Sequence, residues 1–223
     1  MSFKRVTLFA GHYGSGKTNI AVNYALHMRK NGLPVTIADL DIVNPYFRTK
    51  DSEAELKVAG IPLISPTYAN SNVDLPALPQ ELYGLVEMKD RYAVFDIGGD
   101  DRGAYALGRY TPYILEENNY EMMFVANFYR PLTGNAEDAL EVMREIESAG
   151  GIPFTAIINN SNIGWDTTPE DIEKTEQTAR ELSDLCGLPI LMTTAERSVA
   201  EKMHRDDVFP LDLQKKYFDV REK

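Results

Sequence analysis

The residues best suited to chemistry form a glycine-rich segment near the start of the chain. Gly11-His12-Tyr13-Gly14-Ser15-Gly16-Lys17-Thr18 matches G-x-x-x-x-G-K-[ST], the P-loop. The segment follows an apolar run and precedes a stretch of helical period, which is the strand, loop and helix setting that this motif requires. The alternative is a glycine-rich turn with an exposed lysine. Motif and setting together favour phosphate binding.

Each residue type in this segment has a chemical use. The glycines let backbone N–H groups turn inward around phosphates, and the following helix adds the positive end of its dipole. Lys17 is expected to reach the β- and γ-phosphates, and the Thr18 hydroxyl is expected to bind Mg²⁺. Asn19 completes the predicted nucleotide-binding set. The motif predicts nucleotide binding without selecting a reaction.

Polar residues follow three other apolar runs that we interpret as strands. These are Asp39-Leu40-Asp41, Asp96-Ile97-Gly98-Gly99-Asp100 and Asn159-Asn160. Ligands of open α/β sheets bind outside the carboxyl ends of the strands, so the three segments should converge on the P-loop. Asp96 has the form of a Walker B acid, which holds the Mg²⁺ shell through water. Gly99 is expected to approach the γ-phosphate closely through its backbone.

The roles of the remaining polar residues are less restricted. Asp39 and Asp41 are predicted to complete the metal site with Thr18 and Asp96, and the pair could supply an acceptor that positions the attacking water. The alternative for this pair is a helix cap or a solvated turn. One amide of the pair Asn159-Asn160 offers the donor and acceptor that an adenine edge needs, or the pair simply forms a turn.

Short apolar runs alternate with stretches of helical period, as in repeated βα units around a parallel sheet. We predict one α/β domain over residues 1–223 with the P-loop NTPase fold: a doubly wound, mostly parallel sheet of about seven strands with helices on both faces. The strand candidates are Val6–Ala10, Val35–Ala38, Ile61–Ile64, Tyr92–Phe95, Met122–Asn127, Phe154–Ile158 and Pro189–Met192. The helix candidates are Lys17–Lys30, Glu81–Met88, Ala136–Ala149 and Pro169–Leu185, with a last short helix in Val208–Lys223.

The composition narrows the classes of partner. The chain of 223 residues carries 23 Lys+Arg against 34 Asp+Glu, a net charge of −11 at pH 7. This balance disfavours nucleic acid and anionic membranes as partners. Cys186 is the single cysteine, so no disulfide forms within the chain, and no apolar run reaches the length of a membrane span. We expect a cytoplasmic protein.

The resemblance of the chain to a known family is carried by the P-loop, Asp39-Leu40-Asp41-Ile42 and Asp96-x-x-Gly99-Asp100, in this order. With these motifs it resembles the MinD/ParA/Mrp group of P-loop ATPases, the CobQ/CobB/MinD/ParA nucleotide-binding domain. The resemblance implies ATP or ADP bound with Mg²⁺, Asp41 orienting the hydrolytic water, and Asp96 to Asp100 acting as switch II. It further implies a nucleotide-dependent homodimer, an as yet unknown protein partner, and Asn159 reading adenine. No Asn-Lys-x-Asp guanine motif is present, which favours ATP over GTP.

The chain departs from that group inside the P-loop. His12 stands where the group carries a signature lysine directed at the partner subunit, and Tyr13 replaces a glycine. Other candidates for a cation acting across a dimer are Arg48, Arg102 and Arg130. The aromatic segment Asn44 to Arg48 is a candidate switch I, and Tyr129 to Thr133 either covers the nucleotide or begins the next helix.

Three functions remain open from the sequence. The first is a Mg²⁺-dependent ATPase switch. The second is a small-molecule kinase or ATP-dependent ligase, with the proline-containing stretch Ser65 to Gln80 shaping a substrate pocket. The third is a nucleotide-responsive binding module with little hydrolysis, suggested by the missing signature lysine.

Overall fold

The computed structural model describes residues 3–41, 49–65, 81–99 and 101–214, without the side chains of residues 101 and 102. Several sequence-based predictions lie outside these residues. They are the switch I candidate with Arg48, the side chain of Arg102, Asp100, residues 66–80 of the proline-containing stretch, and the last nine residues of the predicted terminal helix.

The described residues form one eight-stranded parallel sheet with the order β3-β2-β4-β1-β5-β6-β7-β8. The strands are β1 (Val6–Ala10), β2 (Val35–Leu40), β3 (Leu63–Ile64), β4 (Tyr92–Ile97), β5 (Tyr120–Ala126), β6 (Ala156–Asn159), β7 (Ile190–Glu196) and β8 (Val208–Leu211). The predicted parallel α/β sheet is confirmed. The prediction of a helix is wrong for Val208–Leu211, which form the eighth strand. This strand lies at the sheet edge, where Pro210 is tolerated because its missing N–H need not pair.

Helices connect the strands, as parallel pairing requires. They are α1 (Lys17–Lys30), α2 (Glu53–Val58), α3 (Glu81–Glu87), α4 (Asp101–Gly108), α5 (Thr111–Glu117), α6 (Ala136–Gly150), α7 (Pro169–Glu173), α8 (Glu176–Cys186) and α9 (Arg197–Met203). A short 3₁₀ helix, Thr49–Ser52, precedes α2. The sequence predicts α1, α3 and α6 to within about one residue. The helix predicted over Pro169–Leu185 divides into α7 and α8.

The helices cover both faces of the sheet, as predicted. One apolar cluster packs α3 to α6 and α8 against the sheet through residues such as Leu107, Met143 and Leu182. A second cluster packs α1 and α2 against the opposite face through Tyr24, Met28 and Leu56. Among the described residues no helix combines the length and the apolar character needed to cross a bilayer.

The strand order decides which residues meet at the carboxyl edge. The first strand lies in the middle of the sheet, between β4 and β5, so the P-loop that follows it has the ends of both strands beside it. β2 and β4 run further than predicted, and their register places Asp39 directly beside Asp96. Both acids therefore lie inside strands, near their carboxyl ends, rather than in the loops after them.

Candidate functional site

The P-loop turns tightly between β1 and α1. Gly14 and Gly16 adopt left-handed backbone conformations, with φ of 76° and 89°, which glycine reaches without steric cost. The N–H of Ser15 donates to the carbonyl of His12 at 3.1 Å and closes the loop. Gly16 is the N-cap of α1, so the unpaired N–H groups of the first helical turn lie next to the loop.

Neighbouring strand ends hold this loop in place. The side-chain Nδ2 of Asn160 donates to the carbonyl oxygen of Ser15 at 2.6 Å, and the Oδ1 of Asn160 accepts from the Thr194 hydroxyl at 2.6 Å. A Cβ on Gly16 would lie 2.3 Å from the same Nδ2, and a Cβ on Gly11 would lie 2.4 Å from the carbonyl oxygen of Val125. Glycine is therefore required at both positions by close contacts.

A cluster of lysine, threonine and carboxylate lies under the loop. The hydroxyls of Thr18 and Thr49 donate to Oδ2 of Asp96 at 2.6 and 2.9 Å. Burial raises the pKa of Asp96 to about 6, the negative charge of Asp41 adds to this, and the Lys17 ammonium and the two hydroxyls oppose it. The Lys17 Nζ donates to the carbonyl of His12 at 3.4 Å. The structure thus brings Lys17, Thr18 and Asp96 together as the sequence predicts.

This cluster fits a hydrated Mg²⁺ ion. The Oδ1 of Asp96 is buried and has no hydrogen-bond partner among the described residues, so a carboxylate oxygen remains for the metal or its water. Hydroxyl and carboxylate oxygens are the ligands that Mg²⁺ prefers. No group of three His, Cys, Asp or Glu side chains gathers within the described ranges. The site therefore suits an ion held jointly by few protein ligands, water and phosphate.

The aspartate pair lies at the end of β2. Both side chains are buried, and Oδ1 of Asp39 accepts the backbone N–H of Asp41 at 2.9 Å. Asp41 lines the cavity above the P-loop, whereas Asp39 lies under it, beside Asp96. Of the two, Asp41 has the position from which a carboxylate can contact a molecule in the cavity.

The segment after β4 touches the P-loop through its backbone. A Cβ built on Gly99 would lie 2.7 Å from the backbone N of Tyr13 and 2.9 Å from Nζ of Lys17. Gly98 packs against Gly103 of α4, where a Cβ on Gly103 would lie 2.7 Å from the Cα of Gly98. A movement of this segment would therefore displace the P-loop on one side and α4 on the other.

A cavity of about 520 Å³ opens above these residues, a volume within the range of small-molecule sites. Eight residues predicted for the site are among its lining: His12, Tyr13, Gly14, Gly16, Lys17, Thr18, Asn19 and Asp41. Asn160 also lines the cavity and Asn159 does not. The amide of Asn159 is buried in contacts with Thr175 and Ser161, so the structure places it away from the cavity.

Several other residues that border the cavity have no role predicted from the sequence. The loop after β6 carries Asn162 and Trp165, whose side chain is 66% exposed. Residues 211–214, which we term the C-terminal strap, form another wall through Leu211, Leu213 and Gln214. The strap is distant in sequence from every motif, so only the fold reveals its place. Asn162 and Trp165 follow a predicted strand end, which is the one signal available beforehand.

The loop after β5 borders the cavity and then leads into α6. Arg130 lines the cavity, and its Nε donates to the carbonyl of Gly14 at 3.1 Å. The chain then passes through a 3₁₀ turn, Pro131–Thr133, to Asn135, whose side chain caps α6.

Cys186 is a free, partly buried thiol at the end of α8, and its Sγ contacts the carbonyl of Ser183.

Comparison with known proteins finds solved structures that resemble this chain in fold at low sequence identity. Neither the family models nor the curated proteins include a match to this chain. FtsY from Thermotoga maritima matches with a TM-score of 0.57 and 16% identity over 86% of this chain. The signal recognition particle receptor FtsY from Elizabethkingia anophelis, in complex with GDP, gives 0.56 and 17% over 96%. The signal recognition particle 54 kDa protein from Aeropyrum pernix, in complex with GDP, gives 0.56 and 16% over 86%.

These neighbours are P-loop NTPases, and the likeness shows that this chain has their fold. The match covers 62%, 61% and 41% of the three neighbouring chains, so this chain corresponds to less than two thirds of each. The resemblance to the MinD/ParA/Mrp group stays a prediction.

Proposed function

We propose that this chain is a Mg²⁺-dependent nucleoside triphosphatase that works as a nucleotide switch. The observation that carries the proposal is the 2.6 Å contact between the Thr18 hydroxyl and Asp96, at the foot of a complete P-loop and beside the Lys17 ammonium. Hydroxyl, carboxylate and ammonium are the three groups that a P-loop enzyme needs around the metal and the terminal phosphates. A glycine-rich turn with an exposed lysine, the alternative interpretation, would not require these three groups to lie together.

Each group has a part in hydrolysis. Lys17 and the loop amides stabilise charge that develops on the β- and γ-phosphates, and Asp41 holds the attacking water from its place in the cavity wall. Thr18 and Asp96 would hold Mg²⁺, which supplies charge neutralisation across the phosphates when bound. Thr49 shares Oδ2 of Asp96 and orients this carboxylate.

The switch consists of the segment after β4. Because Gly99 lies against Tyr13 and Lys17, the presence of a γ-phosphate alters the space available to it, and α4 follows through the Gly98 to Gly103 contact. A second copy of this chain or another protein would read that change at the surface. Turnover is therefore expected to be slow in the isolated protein.

We propose ATP rather than GTP as the nucleotide. Guanine presents two donors on one edge and is best matched by a carboxylate. Glu196 lines the cavity, and its Oε2 already accepts the N–H and the hydroxyl of Ser198. The amide of Asn162 keeps one N–H and one lone pair for an adenine edge, and Trp165 offers a face for stacking. Since two structural neighbours hold GDP, GTP is the competitor to test.

The test combines binding and hydrolysis in one protein. Trp165 is the single tryptophan of the chain and borders the cavity, so its fluorescence reports binding directly. We expect Mg²⁺-dependent titration by ATP, tighter than by GTP, with phosphate released into solution. Lys17→Ala should lose triphosphate binding, and Asp41→Ala should bind MgATP but release phosphate at least tenfold more slowly. Unchanged hydrolysis by Asp41→Ala would remove its assigned role.

Product analysis and light scattering separate the alternatives. Phosphate appearing on an added metabolite would favour the kinase, and binding without hydrolysis would favour the binding module. Light scattering of Asp41→Ala with ATP and with ADP tests for a nucleotide-dependent dimer. A monomer in both states would favour the kinase or the binding module.

A further inference from the structure

We propose that Arg130 binds the nucleotide phosphates in the same chain as Lys17 and contributes to hydrolysis without a partner subunit. The inference deepens the proposed function and rests on it. It assigns to the loop after β5 the cation that the P-loop lacks at His12. The ligand of this guanidinium is the triphosphate group of the nucleotide.

The backbone of Arg130 is fixed by a buried asparagine. Asn127 accepts the N–H of Arg130 and the hydroxyl of Thr133 on its carbonyl, at 3.0 and 2.7 Å. Its side-chain Oδ1 accepts the N–H of Tyr129 at 3.1 Å. In the loop after β6, the hydroxyl of Ser161 accepts the N–H of Phe128. A rigid turn therefore carries the arginine to the rim of the cavity.

The side chain lies on the P-loop itself. Its Nε donates to the Gly14 carbonyl, and Nε and Cζ lie 3.4 and 3.8 Å from the place of a Gly14 Cβ. The backbone N–H groups of this loop are the ones that surround phosphates. Arg130 uses one of its five N–H donors in this contact, so the two terminal nitrogens remain for a phosphate.

Arg130 also differs from most arginines of the described residues in having no carboxylate partner. Six others pair with carboxylates: Arg5, Arg91, Arg144, Arg180, Arg197 and Arg205. Within the described part of the chain no carboxylate lies within 4.0 Å of the Arg130 guanidinium. In a chain with net charge −11, a cation left unpaired on the rim of a cavity suits an anionic ligand.

His12 is a poor substitute for the missing lysine. Its Nδ1 lies 3.0 Å from the carbonyl oxygen of Tyr13, so the ring is tied to the loop's own backbone. A guanidinium is charged at every physiological pH and can bind two phosphate oxygens at once. Arg130 therefore supplies a permanent charge beside the phosphates, where negative charge increases during phosphoryl transfer.

The test compares Arg130→Ala and Arg130→Lys with Arg29→Ala. Arg29 is the matched control because its Nε also donates to a backbone carbonyl, that of Ala59, away from the cavity. We expect kcat for ATP to fall about 10- to 100-fold in Arg130→Ala, with partial retention in Arg130→Lys and partial rescue by added guanidinium ion. Affinity for MgADP, read from Trp165, should change less than threefold. Arg29→Ala should match the wild type.

Mixing distinguishes action within one chain from action across a dimer. Asp41→Ala is expected to bind MgATP and retains Arg130, and Arg130→Ala retains Asp41, so a mixed dimer would rebuild one complete site if the arginine acted on its partner. We expect no recovery of hydrolysis in the mixture. Recovery, or an unchanged kcat in Arg130→Ala, would overturn the inference while leaving the proposed function intact.

Failure of the proposed function has a different signature. If the wild type binds but does not hydrolyse nucleotides, the same variants are compared for binding of Mg²⁺ with the slowly hydrolysed analogue ATPγS. A tenfold loss of affinity in Arg130→Ala would then support the phosphate contact, and equal affinities would refute it. A wild type that binds no nucleotide refutes both proposals.

Discussion

Asp96 is a carboxylate that the fold buries beside a lysine and two hydroxyls. Removing a charge from water costs free energy, and the hydrogen bonds from Thr18 and Thr49 offset part of that cost. The remainder appears as the raised pKa of about 6. Without metal, the ionised Asp96 therefore destabilises the fold at neutral pH. We attribute this destabilisation to the proposed role of Asp96 in holding Mg²⁺.

This cost gives a pH-dependent stability prediction. The folded-state pKa lies above the usual 3.8, so the native protein binds more protons between pH 4 and 6 and loses stability as the pH rises through that window. In EDTA and without nucleotide, Asp96→Asn should be more stable than the wild type at pH 7.5, by on the order of 2 kcal/mol. The difference should nearly vanish at pH 4.

Urea denaturation at both pH values measures this difference. The control is the same pair of proteins with saturating MgATP, where the wild type should gain stability and Asp96→Asn should not. A variant less stable than the wild type at pH 7.5 in EDTA would contradict the prediction.

Gly99 allows a second test at single-residue scale. A methyl group there would lie within 3 Å of Tyr13 and Lys17, so the loop must shift. We expect Gly99→Ala to weaken MgATP binding about tenfold or more, since overpacking costs about 1–3 kcal/mol. Trp165 fluorescence measures the affinity. The matched control is Gly84→Ala, which has open space around the added methyl and should leave binding unchanged.

The sequence predicts these residues unevenly. Lys17, Thr18 and Asp96 are found because the motif fixes their spacing and because parallel strand ends share an edge. Of two adjacent asparagines, Asn160 lines the cavity and Asn159, the last residue of β6, does not. Successive side chains along an extended backbone face opposite sides. Thr49 belongs to no motif. Only the packing of the 3₁₀ helix against β4 brings it to Asp96.

At the scale of elements, the cavity depends on a segment far from the P-loop. The C-terminal strap begins at Leu211, the last residue of the edge strand β8, and is hydrogen-bonded to α1. Asn23 exchanges two hydrogen bonds with the backbone of Asp212, at 2.9 and 2.8 Å. Asn19 accepts the N–H of Gln214 at 3.1 Å, and the Gln214 amide donates to the hydroxyl of Ser52. The strap thus links the nucleotide cavity to the 3₁₀ helix that carries Thr49.

Releasing the strap should loosen the cavity. Asn23→Ala leaves two backbone groups of Asp212 without these partners, so we expect a loss of about 2 kcal/mol in the free energy of unfolding. MgATP affinity should fall as well, because Leu213 and Gln214 line the cavity. Urea denaturation and Trp165 titration measure the two effects.

Asn31→Ala is the control for this prediction. Asn31 also donates an amide N–H to a backbone carbonyl, that of His27, but at the exposed end of α1. It should change stability by less than about 1 kcal/mol and leave affinity unaltered. Equal effects of the two variants would contradict the role given to the strap.

Local sequence patterns explain which elements were missed. The segment from Asp101 to Glu117 contains Gly103, Gly108 and Pro112, which weaken a helical prediction, yet it forms α4 and α5 because tertiary packing overrides propensity. The long helix predicted from Pro169 divides because the Thr175 hydroxyl donates to the carbonyl of Ile172 and accepts from Asn159. The contact with Asn159 joins the helices to β6, and a contact between elements cannot be predicted from periodicity.

At the scale of the whole molecule, one sheet links all the described elements. We expect a single cooperative thermal transition, as one domain predicts. Saturating MgATP should shift it upward, with a stabilisation of about 2.7 kcal/mol at a nucleotide concentration 100 times the Kd. Differential scanning calorimetry at several nucleotide concentrations measures both. Two resolved transitions would contradict the single domain, and a midpoint insensitive to nucleotide would contradict binding to the native state.

The central place of β1 has a consequence for how the chain folds during synthesis. β1 pairs on both sides with strands that are synthesised much later, β4 and β5, and the buried Arg5 pairs with the equally late Glu117. At the usual rate of translation, β1 spends on the order of ten seconds without its neighbours. Its apolar residues and open edges are exposed throughout that time. The nascent chain, more than the finished protein, is therefore the form that most needs a chaperone.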